Sequence, residues 1–519
     1  MTVDQLARYL DWKWERLRAR ESKSPSVPAR RGYSSGDVVR ENLAQVRAAL
    51  DDAHVRHLVM PELDSFRPIL VVSERDGDTV RGVLEALPAD EGWVVRTREA
   101  KLVRSDVAVA GNREGGLLSA RVYRNVDGPD RRLTTRAETV TVLVFTRLDA
   151  GVLRADGDEF QPGTLHRHPQ HPTTPIAYFE PQEWATWSGD GEFDPDWPPL
   201  IGAVIDPIDV VYTWVDGSDP AWLARKARRT GDVAAQEYSE AADVPSRYAS
   251  RDELRYSLRS LEMYAPWVRH IYLVTDRQRP AWLVEDHPRI TVVDHSEIFS
   301  DPTVLPVFNS HAIESQLHHV PGLSDRYLYL NDDIMFARPV SPRVFFGPGG
   351  VTKFFRSKAV LDVAPPTPRD LPVLSAAKNN RQLVLDRFRL AVTQKFKHTP
   401  HPQRKDVLEE MEAEIPELFE QTQRSALRHP HDISIASALH HYWAYASGRA
   451  HEGEIRYGYI DLAREDVDLQ LARLRHRRDL DVFCLNETNA SSEQAAHLDA
   501  ALPAFLESMF PVPSTFERP

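Results

Sequence analysis

Tyr327-Leu328-Tyr329-Leu330-Asn331-Asp332-Asp333-Ile334-Met335-Phe336 is the stretch on which the reading of this chain turns. An aromatic and aliphatic run stops at Asn-Asp-Asp and then becomes apolar again. The first part reads as a buried strand, because strands covered on both faces carry near-continuous apolar side chains. Two adjacent carboxylates repel each other and resist burial unless a cation or hydrogen bonds compensate them. In open α/β sheets, ligands bind outside the carboxyl ends of the strands. A strand closing on paired aspartates therefore suits a divalent metal that holds a diphosphate. An Asp-rich turn capping the next helix explains the same residues. This stretch alone does not choose between the two.

Around it, from residue 206, strand-like runs alternate with helical patterns. Residues 208–215, 271–274 and 290–293 read as strands. Ser250 and Glu253 have the spacing of a capping box, with Ser250 as N-cap. It would open a helix carrying Leu254, Leu258 and Leu261 on one face, with Pro266 past its end. Alternation of this kind predicts an α/β fold, a mostly parallel sheet flanked by helices. Residues 405–422, 434–447 and 493–510 read as further helices, the last closed by Pro511.

Upstream the texture differs. Residues 4–20 read as a basic amphipathic helix that includes Trp14; packing on its own domain is favoured over lying on a membrane. A Pro/Ser/Gly-rich linker follows at 21–36. Residues 38–58 read as a helix. Short β-type runs at 69–72, 93–95, 117–123 and 140–145 then indicate a β-rich α+β domain. His166, His168 and His171 fall in a polar stretch where a solvated loop is favoured over a metal site. The expected boundaries are an N-terminal helix and linker at 1–36, an accessory domain at 37–187 and a linker at 188–205. A catalytic domain at 206–490 and a C-terminal helix and tail at 491–519 follow.

At 519 residues the chain is too long for one typical core. Its composition, 42% hydrophobic and 27% charged, is that of a globular protein. A formal net charge of -13 argues against a general nucleic-acid binder. The single cysteine, Cys484, rules out an intrachain disulfide and fits a reducing compartment. No apolar run approaches the roughly 20 residues that span a bilayer, and the N-terminus lacks the apolar core of a secretory signal.

Five further constellations carry chemistry. Residues 209–220 form a strand-like run closing on Trp214, Asp216 and Gly217; such an end can stack on a base and bind ribose or phosphate, or be a plain turn. Arg251, Arg255 and Arg259 share one helix face and can hold a diphosphate or pair with surface carboxylates. Asn309 and Ser310 are plausible helix caps, with Glu314 one turn further in; a sugar-hydroxyl site is the other reading. His398, His401, Arg428, His429 and His431 lie in proline-rich segments, where histidine can move protons and arginine can neutralise phosphate charge. Histidines in such loops are more often solvent-facing or capping. Finally, Phe483-Cys484-Leu485-Asn486-Glu487 repeats the pattern of an apolar run ending in Asn plus a carboxylate, and can return to Asp332 or Asp333.

Taken in order, Asp209 to Pro220, Glu253 to Glu262, Ala265 to Asp276, Ala312 to Ser315 and Gly322 to Asp333 closely resemble the Stealth family. That family contains bacterial cell-surface sugar-phosphate transferases and the catalytic subunit of the lysosomal-targeting N-acetylglucosamine-1-phosphotransferase. Its four regions look present near 207–220, 247–350, 397–447 and 482–490. The resemblance covers residues 206 to 490 and not the first 200.

The resemblance implies a glycosyltransferase-A-like nucleotide-sugar fold. It implies transfer of a sugar 1-phosphate, such as N-acetylhexosamine or hexose 1-phosphate, from a UDP-sugar to a hydroxyl of a glycan or polysaccharide acceptor. UMP is released, and a divalent metal, Mg²⁺ or Mn²⁺, is expected. Matched to the family's motifs, Asp332 and Asp333 look like metal and diphosphate residues. Glu314 looks like an active-site residue, and Trp214, Asp216 and Gly217 like the nucleotide pocket, with Arg255, Asn309 and Ser310 as further substrate contacts. His401 matches a candidate base and Arg428 a phosphate-binding arginine. The last region usually reads Cys-Leu-Asn-Asp; here Asn486 and Glu487 stand at the metal corner, the glutamate one methylene longer. A metal-dependent glycosyltransferase releasing UDP is the alternative, and a surface-polymer binding protein with a decayed site a third. A cytoplasmic location, peripheral at the inner membrane face, follows from the absent signal and a cytosolic donor pool.

Overall fold

The computed structural model describes residues 3–21, 24–61, 66–99, 115–154, 156–168, 174–193, 198–233, 250–367, 369–487 and 491–519. The chain divides into two compact units, Met1–Trp14 with Val204–Pro519, and Glu15–Ala203.

The larger unit is built on a five-stranded sheet in the order Ile290–Asp294, Val268–Thr275, Ile208–Thr213, Arg326–Asn331, His401–Arg404. The first four strands are parallel and the last runs antiparallel. Val210, Val211, Tyr212, Leu328, Tyr329 and Leu330 are all buried, which is why the two central strands read as unbroken apolar runs. The fold class is therefore the one the alternating pattern indicates. A second sheet continues from the aspartate turn. Ile334–Phe336 pairs antiparallel with Val482–Asn486, which pairs parallel with Tyr457–Asp461.

The helix Glu253–Tyr264 is buried along nearly its whole length. The expected capping box does not form. Asp252, at φ 63, precedes the helix in the left-handed region, and the helix begins at Glu253 itself. The Glu253 carboxylate accepts the Arg251 N–H at 2.5 Å. The arginine row on this helix fastens the C-terminal segment. Arg251 pairs with Glu487 at 2.6 Å and Asp499 at 2.7 Å. Arg255 pairs with Glu517. Arg259 reaches Glu517 at 2.7 Å, Glu507 at 2.9 Å and the Phe510 carbonyl at 2.7 Å.

Three expected helices are found with altered detail. The segment 405–422 breaks into Lys405–Glu414 and Pro416–Arg424, since Pro416 has no N–H and pushes Ile415 to φ -131, ψ 51. The segment 434–447 opens with a π-helical turn, Ile435–Leu439, before His440–Ala446. The last helix, Ser492–Met509, starts on a Ser491–Gln494 capping box and runs through Pro503. At the N-terminus, Trp14 is buried edge-on against the His476 ring, while Tyr9 and Trp12 are exposed.

The smaller unit holds a seven-stranded sheet whose main path is His57–Val59, Ile69–Ser73, Val140–Arg147, Leu117–Arg124, Trp93–Glu99. Strand alternation divides its side chains between two cores. Val142 and Val144 join Leu70, Val72, Val46 and Leu84 under the helices Ser35–Asp52 and Gly77–Glu85. Leu143 and Phe145 join Val71, Leu165 and Phe179 under Trp184 and Trp187 of the helix Pro181–Asp190. The His166 ring contacts the Arg167 carbonyl at 2.7 Å, and His168 is buried. His171 lies outside the described residues. Among the described residues, no helix is long and apolar enough to cross a membrane.

Candidate active site

The carboxyl ends of the central strands carry the site. The strand Arg326–Asn331 ends in a turn made of Asp332 and Asp333. The antiparallel strand His401–Arg404 begins at the same end, because His401 pairs with Tyr329. The loop before it therefore delivers His398 to the aspartates. The His398 Nε2 accepts the Asn331 amide at 2.8 Å. Its Nδ1 lies 3.1 Å from the Cys484 Sγ and 3.8 Å from an Asp333 oxygen.

The Phe483–Glu487 stretch does return to the aspartates. Ile334 pairs with Cys484, and the Leu485 N–H donates to the Asp333 carbonyl at 3.0 Å. The Cys484 thiol donates to Asp333 Oδ2 at 3.2 Å. Burial and the two aspartates push that thiol well above its ordinary pKa, so it stays protonated.

Glu253 completes an acidic cluster. Burial, then Glu253 and Asp333, raise the Asp332 carboxyl well above its usual range. Burial likewise raises Glu253, with Asp333 adding to it. Asp333 Oδ1 is buried and has no hydrogen-bond partner among the described residues. Asp332 and Glu253, each raised by burial and its acidic neighbours, and the unpartnered buried Asp333 Oδ1 fit a nearby divalent cation, and one ligand atom each of Asp333, His398 and Cys484 lies within 4.8 Å of the others. Asp332, Asp333 and Glu253 offer hard oxygen donors. The His398 imidazole beside them is a softer nitrogen donor. Glu487 is engaged by Arg251, and Asn486 closes its strand with its carbonyl accepting the Leu462 N–H at 2.8 Å.

A second group gathers on the neighbouring helix Ser310–Glu314. Asn309 caps it, accepting the His311 N–H at 3.1 Å, and its amide donates to Asp432 at 2.8 Å and the Ser425 carbonyl at 3.1 Å. Fully buried, Asn309 holds the loop that carries Arg428. Arg428 donates to Ser310 Oγ at 2.7 Å. Glu314, also buried, accepts the Ser437 hydroxyl at 2.5 Å and the Tyr329 hydroxyl at 3.4 Å. Tyr329 lies 3.2 Å from Thr213 Oγ1, at the carboxyl end of the adjacent strand.

Past Thr213, Trp214 is anchored by its N–H on the Val274 carbonyl at 3.1 Å. Asp216 turns its carboxylate onto the Ser218 N–H and hydroxyl at 2.8 and 2.6 Å. Gly217 lies inside that turn. Gln278 clasps the loop from both sides, accepting the Asp216 N–H at 3.0 Å and donating to its carbonyl at 2.9 Å. Arg255, expected among the substrate contacts, has its guanidinium on Glu517.

His401 stands apart from His398. It is buried against the Tyr329 ring, with Nδ1 3.1 Å from His441 Nε2. Burial, then His441 and His398, hold its pKa well below the ordinary value. A histidine so placed is a weak base with no solvent face. Two groups that the fold brings to the aspartates are not singled out by the sequence: Glu253, which reads as a capping residue, and His398, since the resemblance points to His401. An antiparallel last strand is the signal that separates the two histidines, since it aims the residues before it at the strand ends.

The fold and this acidic site define an α/β protein organised around the carboxyl end of a parallel sheet. The chain belongs to the Stealth protein family. The family's conserved regions 1, 2, 3 and 4 match residues 206–234, 247–354, 397–445 and 472–519. The exopolysaccharide phosphotransferase SCO6023 of Streptomyces coelicolor is 41% identical over 491 residues, 92% of this chain and 82% of that protein. The exopolysaccharide phosphotransferase CpsY of Mycobacterium tuberculosis is 36% identical over 513 residues, 96% of this chain and 94% of that protein. The similarity thus takes in the smaller unit, where no family motif is legible. It also carries the fourth region to the C-terminus, through Glu517. Among solved structures, the galactosyltransferase LgtC in complex with donor and acceptor sugar analogs matches at TM-score 0.30 and 11% identity, over 59% of this chain and 97% of that one. A likeness that slight carries no argument.

Proposed function

We propose that the protein transfers a sugar 1-phosphate from a UDP-sugar to a hydroxyl of a glycan acceptor, releasing UMP, in the synthesis of a cell-surface polysaccharide. The observation that carries this reading is the cluster of Glu253, Asp332 and Asp333 with the unpartnered Asp333 Oδ1, at the strand ends and beside His398. The names of the two long relatives support the reaction class. A Mg²⁺ or Mn²⁺ ion held by Asp332 and Asp333 would neutralise charge on the donor's diphosphate.

His398 is proposed as the base in place of His401. The Asn331 amide marks Nε2 as the unprotonated nitrogen, and in the proposed complex the acceptor hydroxyl displaces that amide from the Nε2 lone pair; Asp333 lies 3.8 Å from Nδ1. The acceptor oxygen gives its proton to Nε2 and bonds to the β-phosphorus. The bond from the β-phosphorus to the oxygen bridging the two phosphates breaks, and UMP leaves with that oxygen. Arg428, oriented by Ser310, is placed to bind phosphate oxygens, and Trp214 to stack on the uracil. Phosphoryl transfer relies on positioning and charge stabilisation of this kind.

Phosphorus NMR of the product made from UDP-sugars, a divalent metal and glycan acceptors tests the reading. A new phosphodiester resonance supports it. A glycosidic product without phosphorus would establish the glycosyltransferase alternative, which a carboxylate-lined strand end serves as well.

A further inference from the structure

A second cluster of ligating groups lies among residues that the acidic site does not use. His318 and His319 close the short turn Leu317–His319, and Glu412 projects from the helix Lys405–Glu414. The Nε2 of His318 is 2.8 Å from Glu412 Oε2, and the Nε2 of His319 is 2.9 Å from the same oxygen. One ligand atom from each residue lies within 4.8 Å of the others. His318 is fully buried and packs edge-on against Phe419.

The tautomer of His319 makes this arrangement informative. Its Nδ1 lies 3.0 Å from the Ile298 carbonyl, which can only accept, so Nδ1 carries a proton. A neutral His319 then presents a bare Nε2 lone pair to a carboxylate oxygen, two acceptors in contact. Either a second proton, which makes His319 an imidazolium, or a metal ion resolves that contact. A metal ion satisfies His319 Nε2, His318 Nε2 and the Glu412 carboxylate together. The Ile298 carbonyl is then the outer partner that orients a metal-bound imidazole.

We propose that His318, His319 and Glu412 form a transition-metal site, separate from the acidic site, that takes Zn²⁺. Two imidazoles and one carboxylate are a zinc donor set with a remaining position for water. The site ties the turn that follows the Glu314 helix to the helix that follows the His401–Arg404 strand. It thereby fixes the two segments that carry Glu314 and His398 relative to each other. The competing explanation is an imidazolium at His319 sharing its second proton with Glu412.

Purified full-length Asp333→Ala protein removes the acidic site's metal from the measurement. Stripped with a chelator, it is titrated with Zn²⁺ and with Co²⁺, with bound metal counted by mass spectrometry and Co²⁺ coordination read from visible absorption. The proposal expects zinc to be retained through gel filtration and intense Co²⁺ bands of low coordination number. It also expects loss of both when His319→Ala or Glu412→Gln is added. Either partner substitution serves if the other does not fold. No retained zinc in the Asp333→Ala protein, or zinc that survives both substitutions, overturns the proposal and leaves the shared proton.

Discussion

Two histidines three residues apart are given different work by the register of one strand. His398 faces Asn331, Cys484 and Asp333, whereas His401 is enclosed by Tyr329 and His441. Replacing His398 with Ala is expected to lower turnover by about 10²–10⁴-fold, the usual share of a general base, with thermal stability little changed. His401→Ala should instead cost roughly 2–4 kcal/mol of stability, because it empties a packed site and strands His441. Steady-state rates and urea midpoints on the two variants check this. The reverse pattern would return the base to His401. Asp333→Asn is expected to weaken metal-dependent nucleotide binding, read by calorimetry with and without Mg²⁺; unchanged metal dependence would remove Asp333 from the site.

At the scale of elements, the helix Glu253–Tyr264 has two tasks. Its first residue supplies a carboxylate to the acidic cluster, and its arginine row holds the C-terminal segment. Glu517 is the centre of the second task, with 1% of its side chain exposed against 3% for Arg259. Removing one member of such a pair leaves the other charge buried. Glu517→Ala should therefore cost on the order of 3–5 kcal/mol, seen as a lower urea midpoint. The elements also show what was legible. The runs 210–212, 271–274 and 327–330 stood out because burial on both faces leaves no polar position in them. The Ser250–Glu253 spacing misled because tertiary demand overrode local propensity. Asp252 takes a left-handed conformation, the helix begins at Glu253, and the Glu253 charge acts on Asp332. The arginine row misled for a related reason. Spacing shows that three guanidiniums share a face, and only the position of the C-terminal segment shows what they meet.

At the scale of the molecule, Glu517 also links the larger unit's stability to pH. Burial alone would raise its carboxyl; the hydrogen bonds from Arg259 and the Ser514 N–H, and then Arg255, outweigh it and hold the pKa at about 2, from an ordinary 4.5. A group lowered in the folded state stabilises it above the unfolded pKa and loses that contribution as pH falls through the folded one. Roughly 3 kcal/mol is thus present above pH 5 and lost progressively between about pH 5 and 2. Acid titration of the urea midpoint should show that fall, and Glu517→Gln should flatten it. The same C-terminal residues belong to the family's fourth region, which ends at Pro519. Beyond Glu487 that region includes Phe510 and Phe516, which are fully buried. No chemical motif marks the smaller unit, since its two cores need only alternating apolar side chains.

The central claim is that the phosphorus–oxygen bond of the donor, and not the bond to the anomeric carbon, is broken. It is tested most directly by incubating the protein with a panel of UDP-sugars, Mg²⁺ or Mn²⁺ and glycan acceptors, and identifying the nucleotide released. UMP, formed only when acceptor is present and about 10²–10⁴-fold more slowly with His398→Ala, is the predicted result. UDP would contradict the account, because it places the attack on the sugar carbon and leaves both phosphates with the uridine.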